Sequence, residues 1–160
     1  MMLMGYVYQI NISEGGVPKY PINSALITQL GIQGDSHHDG QHHGGVERAL
    51  CVYSLERIQA LQKEGHPIFP GSVGENLTIS GIEWEHLETG TLLRFPSGVE
   101  LELTRPTTPC KTILDSFLAG NIQRISHKHN PGWSRWYARV NRVGVIHRGD
   151  SVEVIIPKLD

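Results

Sequence analysis

Residues 6–12 read YVYQINI, and EGG follows at residues 14–16. The first segment is rich in β-branched and aromatic side chains and the second in glycine, which is the pattern of a strand that ends in a turn. Similar short strand signals lie at residues 25–27, 49–53, 77–79, 92–95, 99–104, 142–146 and 152–156. Because 18 glycines and 9 prolines supply turns throughout the chain, this succession predicts a mostly β barrel or sandwich.

A helix is predicted over residues 54–64. Ser54 is a suitable N-cap, since its hydroxyl can accept a bond from a free backbone N–H. Leu55, Ile58 and Leu61 recur at helical spacing and give the segment one apolar face. The glycine and the His-Pro pair that follow end the helix.

A second helix is predicted to begin after Thr107, with Thr108 as its N-cap. Pro109 would occupy the first helical position, where its missing N–H costs nothing. Four apolar residues then share one face: Ile113, Leu114, Phe117 and Leu118. Gly120 ends the helix.

This placement puts Cys110 in the first turn of the second helix, beside Lys111. Free N–H groups, the helix dipole and the lysine charge all favour the thiolate, the form that attacks sulfur or binds a soft metal. The alternative is a buried and inert cysteine, since free cysteines are commonly buried. Cys51 lies within an apolar run and fits that alternative, so we assign it to the core.

The composition indicates an ordinary globular protein. A length of 160 residues is typical of one domain, expected to span residues 1–160. A net charge of -2 argues against a nucleic-acid-coating protein. Two cysteines are too few for a disulfide framework, and neither a signal peptide nor a membrane span is evident, so we expect a cytoplasmic protein.

The charges are unevenly distributed, because no Asp or Glu occurs between Ser116 and Gly149. This basic stretch contains Arg135 and Arg139 together with Trp133, Trp136 and Tyr137. Such a combination suits an anion that includes a flat ring system. The alternative is a solvated basic face that acidic neighbours balance in the fold.

Residues 35–45 (DSHHDGQHHGG) form a glycine-flanked segment with four histidines, hereafter the histidine loop. Zinc is a possible ligand, but the spacing matches neither a helical His pair nor a paired-cysteine site. We favour an arrangement in which only His43 faces a ligand and His37, His38 and His42 do not. Gly44 and Gly45 would then let backbone N–H groups approach an anion closely.

Residues 71–76 (GSVGEN) form another glycine-rich loop, just before a strand. The loop has no Walker lysine and opens no helix, so a nucleotide-binding P-loop is not expected. It can be a structural turn in which Asn76 bonds to backbone. Glu75 can be a buried carboxylate that orients the histidine loop.

Nine ordered elements along the chain resemble the MOSC domain family. They are residues 15–19 (GGVPK), 34–35 (GD), 43–45 (HGG), 48–49 (RA), 53–54 (YS), 70–71 (PG), 74–78 (GENLT), 109–110 (PC) and 149–150 (GD). The resemblance covers nearly the whole chain. It implies a closed, mostly β barrel with a few short helices.

The resemblance also implies a function connected with the molybdenum cofactor. In amidoxime-reducing members of the family, a cysteine matching Cys110 ligates molybdenum. In sulfurases, the domain binds the cofactor while a separate pyridoxal-phosphate domain supplies sulfur. No such second domain is expected in this chain, so pyridoxal phosphate would act only through a partner protein.

One departure from the family pattern concerns the residues before Cys110. Many members have an arginine there, whereas this chain has Thr107 and Thr108. The chain resembles a small bacterial branch in which this Thr-Thr-Pro-Cys segment occurs with the sequence PGWSR, here residues 131–135.

The leading hypothesis is a domain that binds the molybdenum cofactor or carries sulfur on Cys110. The expected cofactor-binding residues are His43, Gly44, Gly45, Glu75, Asn76, Thr107, Thr108, Lys111, Arg135 and Arg139. Expected ligands are a pterin cofactor or a small anion, and expected partners are a cysteine desulfurase or an electron donor. Two alternatives remain: a molybdenum-dependent reductase of N-hydroxylated compounds, and a metal-independent binding module.

Overall fold

The structure is a computed structural model that describes residues 2–36 and 45–157. The strands are β1 (Met2–Ile12), β2 (Tyr20–Ile22), β3 (Ser24–Thr28), β4 (Gly31–Ile32), β5 (Leu50–Ser54), β6 (Leu77–Ser80), β7 (Leu92–Arg94), β8 (Glu100–Pro106), β9 (Trp136–Arg142), β10 (Gly144–His147) and β11 (Ser151–Ile155). The α-helix is α1 (Leu55–Lys63). Short 3₁₀ helices cover Val46–Arg48, Trp84–His86, Lys111–Ser116, Leu118–Gly120 and Ile122–Ile125.

Seven strands close into a barrel in the order β11-β7-β8-β9-β5-β6-β1. Antiparallel pairing between β1 and β11, from Met2↔Ile155 to Tyr6↔Ser151, completes the circle. The β5–β6 pair is parallel, with α1 in its connection. Strand β2 extends the sheet beyond β1, and β10, β3 and β4 form a second small sheet. The prediction of a closed, mostly β barrel is therefore confirmed.

A β-bulge near the middle of β1 changes which side chains of this strand face the barrel interior. The register with β6 shifts between Val7 and Gln9. An extra residue in one strand reverses which face the following side chains occupy. Val7 and Ile10 are both buried although they are three residues apart. The bulge thus keeps both halves of β1 packed on the core.

The barrel interior is filled by apolar side chains from alternate strand positions. These include Leu50, Val52, Leu77, Ile79, Leu101, Leu103, Ala138, Val140, Val152 and Val154. Side chains alternate between the two faces of a strand, so Cys51 and Tyr137 lie on the outer face of the barrel wall. Both are nevertheless buried, because loops cover that part of the wall.

The first helix forms as the sequence predicts. Ser54 is its N-cap, and the Ser54 Oγ accepts a hydrogen bond from the Arg57 N–H at 3.1 Å. Leu55, Ile58 and Leu61 are its buried residues.

The prediction of a second α-helix is wrong. The segment forms 3₁₀ turns in place of one α-helix, and Cys110 precedes the first of them in an extended conformation (φ -135, ψ 173). Thr108 and Pro109 therefore do not begin a helix. Ile113 and Phe117 are buried whereas Leu114 and Leu118 are exposed, so the predicted apolar face is not formed.

The sequence predicts one strand at residues 142–146, but the structure has parts of two strands there, and they belong to different sheets. Strand β9 ends at Arg142 and β10 begins at Gly144. The sequence did not predict three other pieces of strand, namely β2, β4 and the first part of β9. None of them has an alternating pattern long enough to be recognised in the sequence. Polar residues in β9 conceal its signal, because its outer face carries Arg139 and Asn141.

Gly71 should be the glycine least tolerant of a side chain near the cavity wall. Its φ is +91, and a Cβ there would collide with the Lys19 carbonyl oxygen. Gly71→Ala is expected to lower the free energy of unfolding by about 3 kcal/mol, from backbone strain plus steric displacement. Denaturant unfolding measures this change.

The matched control is Gly98→Ala. Gly98 also has a positive φ of +99, but a Cβ would meet nothing within 4 Å. This variant should lose only about 1 kcal/mol, from backbone strain alone. Equal losses in both variants would contradict the steric argument.

Candidate functional site

A cavity of about 630 Å³ lies against the outer face of β5, β8 and β9. The loops at residues 16–19, 73–76 and 106–113 wall it in. Its polar and reactive lining residues are Lys19, Ser36, Arg48, Cys51, Asn76, Arg105, Thr108, Cys110, Lys111, Thr112, Arg135 and Tyr137. A volume of this size suits a small-molecule ligand.

The cavity lining is strongly basic. Five of its residues are cations: Lys19, Arg48, Arg105, Lys111 and Arg135. Among the lining residues that the structure describes, there is no Asp or Glu. Clustered cations with few compensating carboxylates attract anions. The site is therefore suited to a negatively charged ligand.

Arg135 is the most buried of these cations, with 4% of its surface exposed. Its Nη1 donates to the Val73 carbonyl at 2.7 Å. Its Nε and Nη2 are buried and have no hydrogen-bond partner within the described part of the chain. Buried polar groups without partners are rare and costly. Arg135 thus lines the cavity, but these two donors are enclosed by the surrounding protein and do not face it.

Backbone contacts hold Arg135 in place. Its carbonyl accepts a bond from the Thr107 N–H at 2.9 Å. The two preceding carbonyls are also fixed: the Tyr53 hydroxyl donates to Trp133 at 2.6 Å, and the Trp84 indole N–H donates to Ser134 at 2.7 Å. Arg135 therefore joins the Thr107–Cys110 segment to the glycine-rich loop.

The Trp133 ring is held between two arginines. The guanidinium carbons of Arg57 and Arg124 lie 4.2 and 3.9 Å from the ring centroid. Such cation–π contacts stabilise a stacked ring. Glu64 accepts both hydrogen bonds of the Arg124 fork, at 2.9 and 2.8 Å. The PGWSR segment thus serves to position its final arginine.

Cys110 lines the cavity and is half-buried. Its Sγ lies 3.0 Å from the Thr112 hydroxyl. Because no α-helix begins here, the predicted helix-dipole contribution to the thiolate is wrong. The positive charge around this thiol comes instead from the lining cations, including the neighbouring Lys111.

Cys51 lines the same cavity, which the sequence did not indicate. It is buried, as predicted, and its Sγ lies 3.8 Å from the Thr107 hydroxyl. Burial raises the pKa of the Cys51 thiol, and the nearby charge of Arg135 opposes this effect only in part. Cys51 is therefore expected to stay protonated near neutral pH.

Asn76 is the centre of a buried polar network beside the cavity. Its side chain accepts the Cys51 N–H at 3.0 Å and donates to Asp35 at 2.9 Å. Asp35 in turn pairs with the Lys19 ammonium at 2.7 Å. The network fixes one lining cation and one lining cysteine. The early Gly-Asp element was the sequence signal for Asp35, but nothing in the sequence paired it with Lys19.

Glu75 lies beside this network and is completely buried. Its Oε2 accepts a hydrogen bond from the Thr78 hydroxyl at 3.0 Å, while its Oε1 has no partner in the described structure. Burial raises the pKa of Glu75 to about 7; hydrogen bonds from the backbone of Gly71 and Glu75 oppose this rise most, followed by the Thr78 hydroxyl and then the charge of Arg135. The prediction of a buried carboxylate is correct. Any contact with the histidine loop lies outside the described residues.

The other predicted site residues divide into two groups. Asn76, Thr108, Lys111 and Arg135 line the cavity with Cys110. Thr107 is buried, and its hydroxyl lies 3.8 Å from the Cys51 Sγ. Gly45 is exposed and has a φ of +85. His43 and Gly44 lie outside the described residues, as do His37, His38 and His42. The zinc hypothesis for that loop is therefore untested.

Arg139 does not line the cavity. Its guanidinium donates to Glu47 at 2.9 Å and to Glu102 at 2.6 Å. Acidic neighbours thus balance part of the basic stretch, as the alternative interpretation expected. Arg48 and Arg105, which the sequence analysis did not select, do line the cavity.

The described residues contain one group that could hold a metal ion, formed by Glu83, Glu85 and His86. All three side chains are exposed, and Glu85 already pairs with Arg57 at 3.0 Å. The group lies apart from the basic cavity. In the same residues, no helix is long and apolar enough to cross a bilayer.

The family model of the MOSC domain matches residues 39–153 of this chain. The match covers most of the sequence and includes Cys110, Arg135 and the glycine-rich loop. The chain therefore belongs to the MOSC domain family.

Similar proteins include two bacterial proteins and one fungal protein. The chain is 28% identical over 144 residues to the uncharacterized protein YflK of Bacillus subtilis, covering 89% of this chain and 64% of YflK. It is 22% identical to protein YiiM of Escherichia coli, covering 92% of this chain and 72% of YiiM. It is 27% identical to a protein named reductase from Gibberella moniliformis, covering 78% of this chain but only 22% of that protein.

Solved structures support the fold. The YUAD protein of Bacillus subtilis superposes with a TM-score of 0.78 at 21% identity, covering 96% of this chain and 97% of that chain. YiiM of Geobacillus stearothermophilus superposes with a TM-score of 0.70 at 20% identity, covering 99% of this chain and 77% of that chain.

The two cysteines should differ in reactivity although they share one cavity. Cys110 is half-buried, whereas Cys51 is 7% exposed and its thiol pKa is raised. Since the thiolate is the reacting form, iodoacetamide should modify Cys110 at least about tenfold faster than Cys51 near neutral pH. Peptide mass spectrometry over time measures both rates.

Cys51→Ser and Cys110→Ser are the matched controls for this experiment. The first should retain the fast phase and the second should lose it. Faster modification of Cys51 in the wild type would contradict the assignment.

Proposed function

We propose that this chain is a molybdenum-cofactor-binding domain in which Cys110 ligates molybdenum or carries a persulfide. The observation behind this proposal is the combination of a half-buried thiol, Cys110, with five cationic side chains around one cavity. Family membership makes the cofactor the first ligand to consider.

The cavity fits the charged part of such a cofactor. A terminal phosphate offers oxygen acceptors, and the cationic side chains that line the cavity, Arg135 among them, offer donors. Arginine binds oxyanions through paired hydrogen bonds. Lys111 adds positive charge in the same cavity, whereas the charge of Lys19 is paired with Asp35.

The remaining lining residues fit the other parts of the cofactor. The thiol of Cys110 is a soft ligand suited to a metal such as molybdenum. The ring of Tyr137, on the cavity wall, provides a surface for a flat pterin. When bound, the molybdenum centre would supply two-electron redox chemistry. The protein would supply the sulfur ligand and the anion contacts.

A sulfur-carrier role uses the same thiol. A persulfide on a partner cysteine desulfurase would transfer its outer sulfur to Cys110. The partner is left with a thiol and Cys110 with a persulfide, so no external oxidant is required. Pyridoxal phosphate would act only on the partner. The half-buried position of Cys110 at the cavity wall suits this transfer.

A reductase of N-hydroxylated compounds is the second candidate. The fungal relative named reductase favours it. This chain matches 22% of that protein, and in this candidate function the electrons would come from a partner. A metal-independent binding module is the third candidate, and metal analysis separates it from the other two.

Molybdenum analysis of the untagged protein tests the leading proposal. After expression in a host that makes the cofactor, the wild type should carry up to about one molybdenum per chain. Cys110→Ser should lose most of it, because the thiolate ligand is absent. Cys51→Ser should retain it. A metal-free wild type that also accepts no sulfur from a cysteine desulfurase would contradict the proposal.

Arginine variants test the anion site. Arg135→Ala should weaken binding of a phosphorylated pterin about tenfold or more, because hydrogen bonds between charged groups are strong. Arg139→Ala is the matched control, since its side chain pairs with Glu47 and Glu102 outside the cavity. Calorimetry at low salt measures both affinities.

Because Arg135 is buried, Arg135→Lys provides a second variant that keeps the charge. It should bind more weakly than the wild type, since an ammonium lacks the planar donor pair. Circular dichroism checks that each variant is folded. Equal affinity of the Arg135 variants and the wild type would place the phosphate elsewhere.

A further inference from the structure

We propose that Cys110 takes sulfur directly from a small anion that carries a transferable sulfur atom, of the chemical class of thiosulfate. The inference rests on the persulfide role in the proposed function and deepens it, because it names a small-molecule sulfur donor for the same thiol.

The thiol of Cys110 lies where a small molecule can reach it. Cys110 is half-buried and lines the cavity of about 630 Å³. Thr112 lines the same cavity and is exposed, and its hydroxyl lies 3.0 Å from the Cys110 Sγ. A small donor that enters the cavity therefore meets a nucleophilic sulfur with a hydroxyl group beside it.

Two exposed cations line the cavity together with this thiol. Arg105 lies near the end of β8, before Cys110 in the chain, and Lys111 follows Cys110 directly. Neither side chain forms an ion pair with a carboxylate in the part of the chain that the structure describes. The charge of Lys19, by contrast, is paired with Asp35. Arg105 and Lys111 are therefore available to an anionic ligand.

The strand register directs Arg105 towards the cavity. Arg105 on β8 and Cys51 on β5 are both register partners of Tyr137 on β9. The three residues thus form one row across the outer face of the barrel wall, and all three line the cavity. The guanidinium carbon of Arg105 lies 5.9 Å from the centroid of the Tyr137 ring. This cation–π contact holds the guanidinium at the cavity wall.

The charge of the donor is the reason why these cations matter. The thiolate is the form of cysteine that attacks sulfur. Repulsion between like charges opposes its approach to a dianion such as thiosulfate, and the leaving group, sulfite, is also a dianion. Positive side chains in the cavity stabilise both the bound donor and the leaving group. The described lining residues include no Asp or Glu that would offset this effect.

The transfer step balances without a further reagent. Cys110 first releases its proton to solvent. The thiolate supplies the electron pair of a new bond to the outer sulfur of thiosulfate, while the bond between the two sulfur atoms of thiosulfate breaks. Sulfite leaves with the electron pair of the broken bond. Cys110 keeps the outer sulfur as a persulfide anion and the total charge is unchanged, so neither an oxidant nor a reductant is required.

Thiosulfate is the probe for the experiment, and cyanide is the trap that regenerates the thiol. Cyanide removes the outer sulfur of a persulfide as thiocyanate, which a colour reaction with ferric iron measures. The reduced wild type should form thiocyanate and sulfite in equal amounts, faster than thiosulfate and cyanide react without protein. Cys110→Ser should not exceed that background. Without cyanide, mass spectrometry should find one added sulfur atom on the Cys110 peptide of the wild type.

Charge variants test the anion site separately from the thiol. Arg105→Ala and Lys111→Ala should each lower kcat/KM for thiosulfate about tenfold or more, because hydrogen bonds to charged groups are strong. Circular dichroism checks that each variant is folded. Arg94→Ala is the matched control, because Arg94 is also exposed but pairs with Glu100 and does not line the cavity. It should keep the wild-type rate.

Iodoacetamide, a neutral reagent, separates anion binding from the general reactivity of the thiol. Alkylation of Cys110 in the two charge variants should slow much less than the reaction with thiosulfate. Equal slowing of both reactions would assign the cations to ionisation of the thiol and overturn their role as an anion site.

The outcomes also separate this inference from the proposed function. A wild type that forms no thiocyanate above background, or a Cys110→Ser variant with the wild-type rate, would overturn the inference. The proposed function would survive that result if the same protein carried molybdenum or took up sulfur from a cysteine desulfurase. A protein that also failed both of those tests would overturn the proposed function as well.

Discussion

The hydrogen bond from the buried Arg135 guanidinium to the Val73 carbonyl connects the main parts of the candidate site. Arg135 faces the cavity from the start of β9, its own carbonyl holds Thr107, and its side chain holds the glycine-rich loop. A buried charge is costly unless it is well paired, and this guanidinium has only one of its contacts satisfied within the described residues. The surrounding packing holds it in place, through the stacked Trp133 and the bonds from Tyr53 and Trp84. The fold therefore maintains an unsatisfied cation at the cavity wall.

Much of the fold could be predicted because its signals are local. Strands with regular alternation, such as residues 99–104, and a helix with a clear cap at Ser54 both follow from neighbouring residues. The prediction of a second α-helix was wrong for a physical reason. The Thr107 N–H donates a hydrogen bond to the carbonyl of Arg135, which is far away in sequence. This bond holds the segment before Cys110 in an extended conformation. Tertiary contacts override local helix signals of this kind. The break between β9 and β10 likewise depends on which sheet each strand joins.

The candidate site could be predicted in part. Cys110, Lys111, Thr108, Asn76 and Arg135 were selected from motifs, and the structure places them around one cavity. Lys19, Arg48, Arg105 and Cys51 were missed as cavity residues, because they come from distant parts of the chain that only the barrel brings together. Arg139 was selected for its charge alone, and its partners Glu47 and Glu102 come from elsewhere in the chain. Composition can show that a segment is basic, but the partner of each cation depends on the fold.

The position of the cavity outside the barrel wall has a further consequence. The lumen is filled by residues such as Leu101 and Val154, whereas the cavity is bounded by loops on the opposite face of the same strands. Substitutions at distant sites that share no partners usually have additive effects on stability. The barrel can thus act as a rigid frame while the loops change in length and sequence around it. A designer could reshape the binding surface through the loops and leave the packed interior untouched.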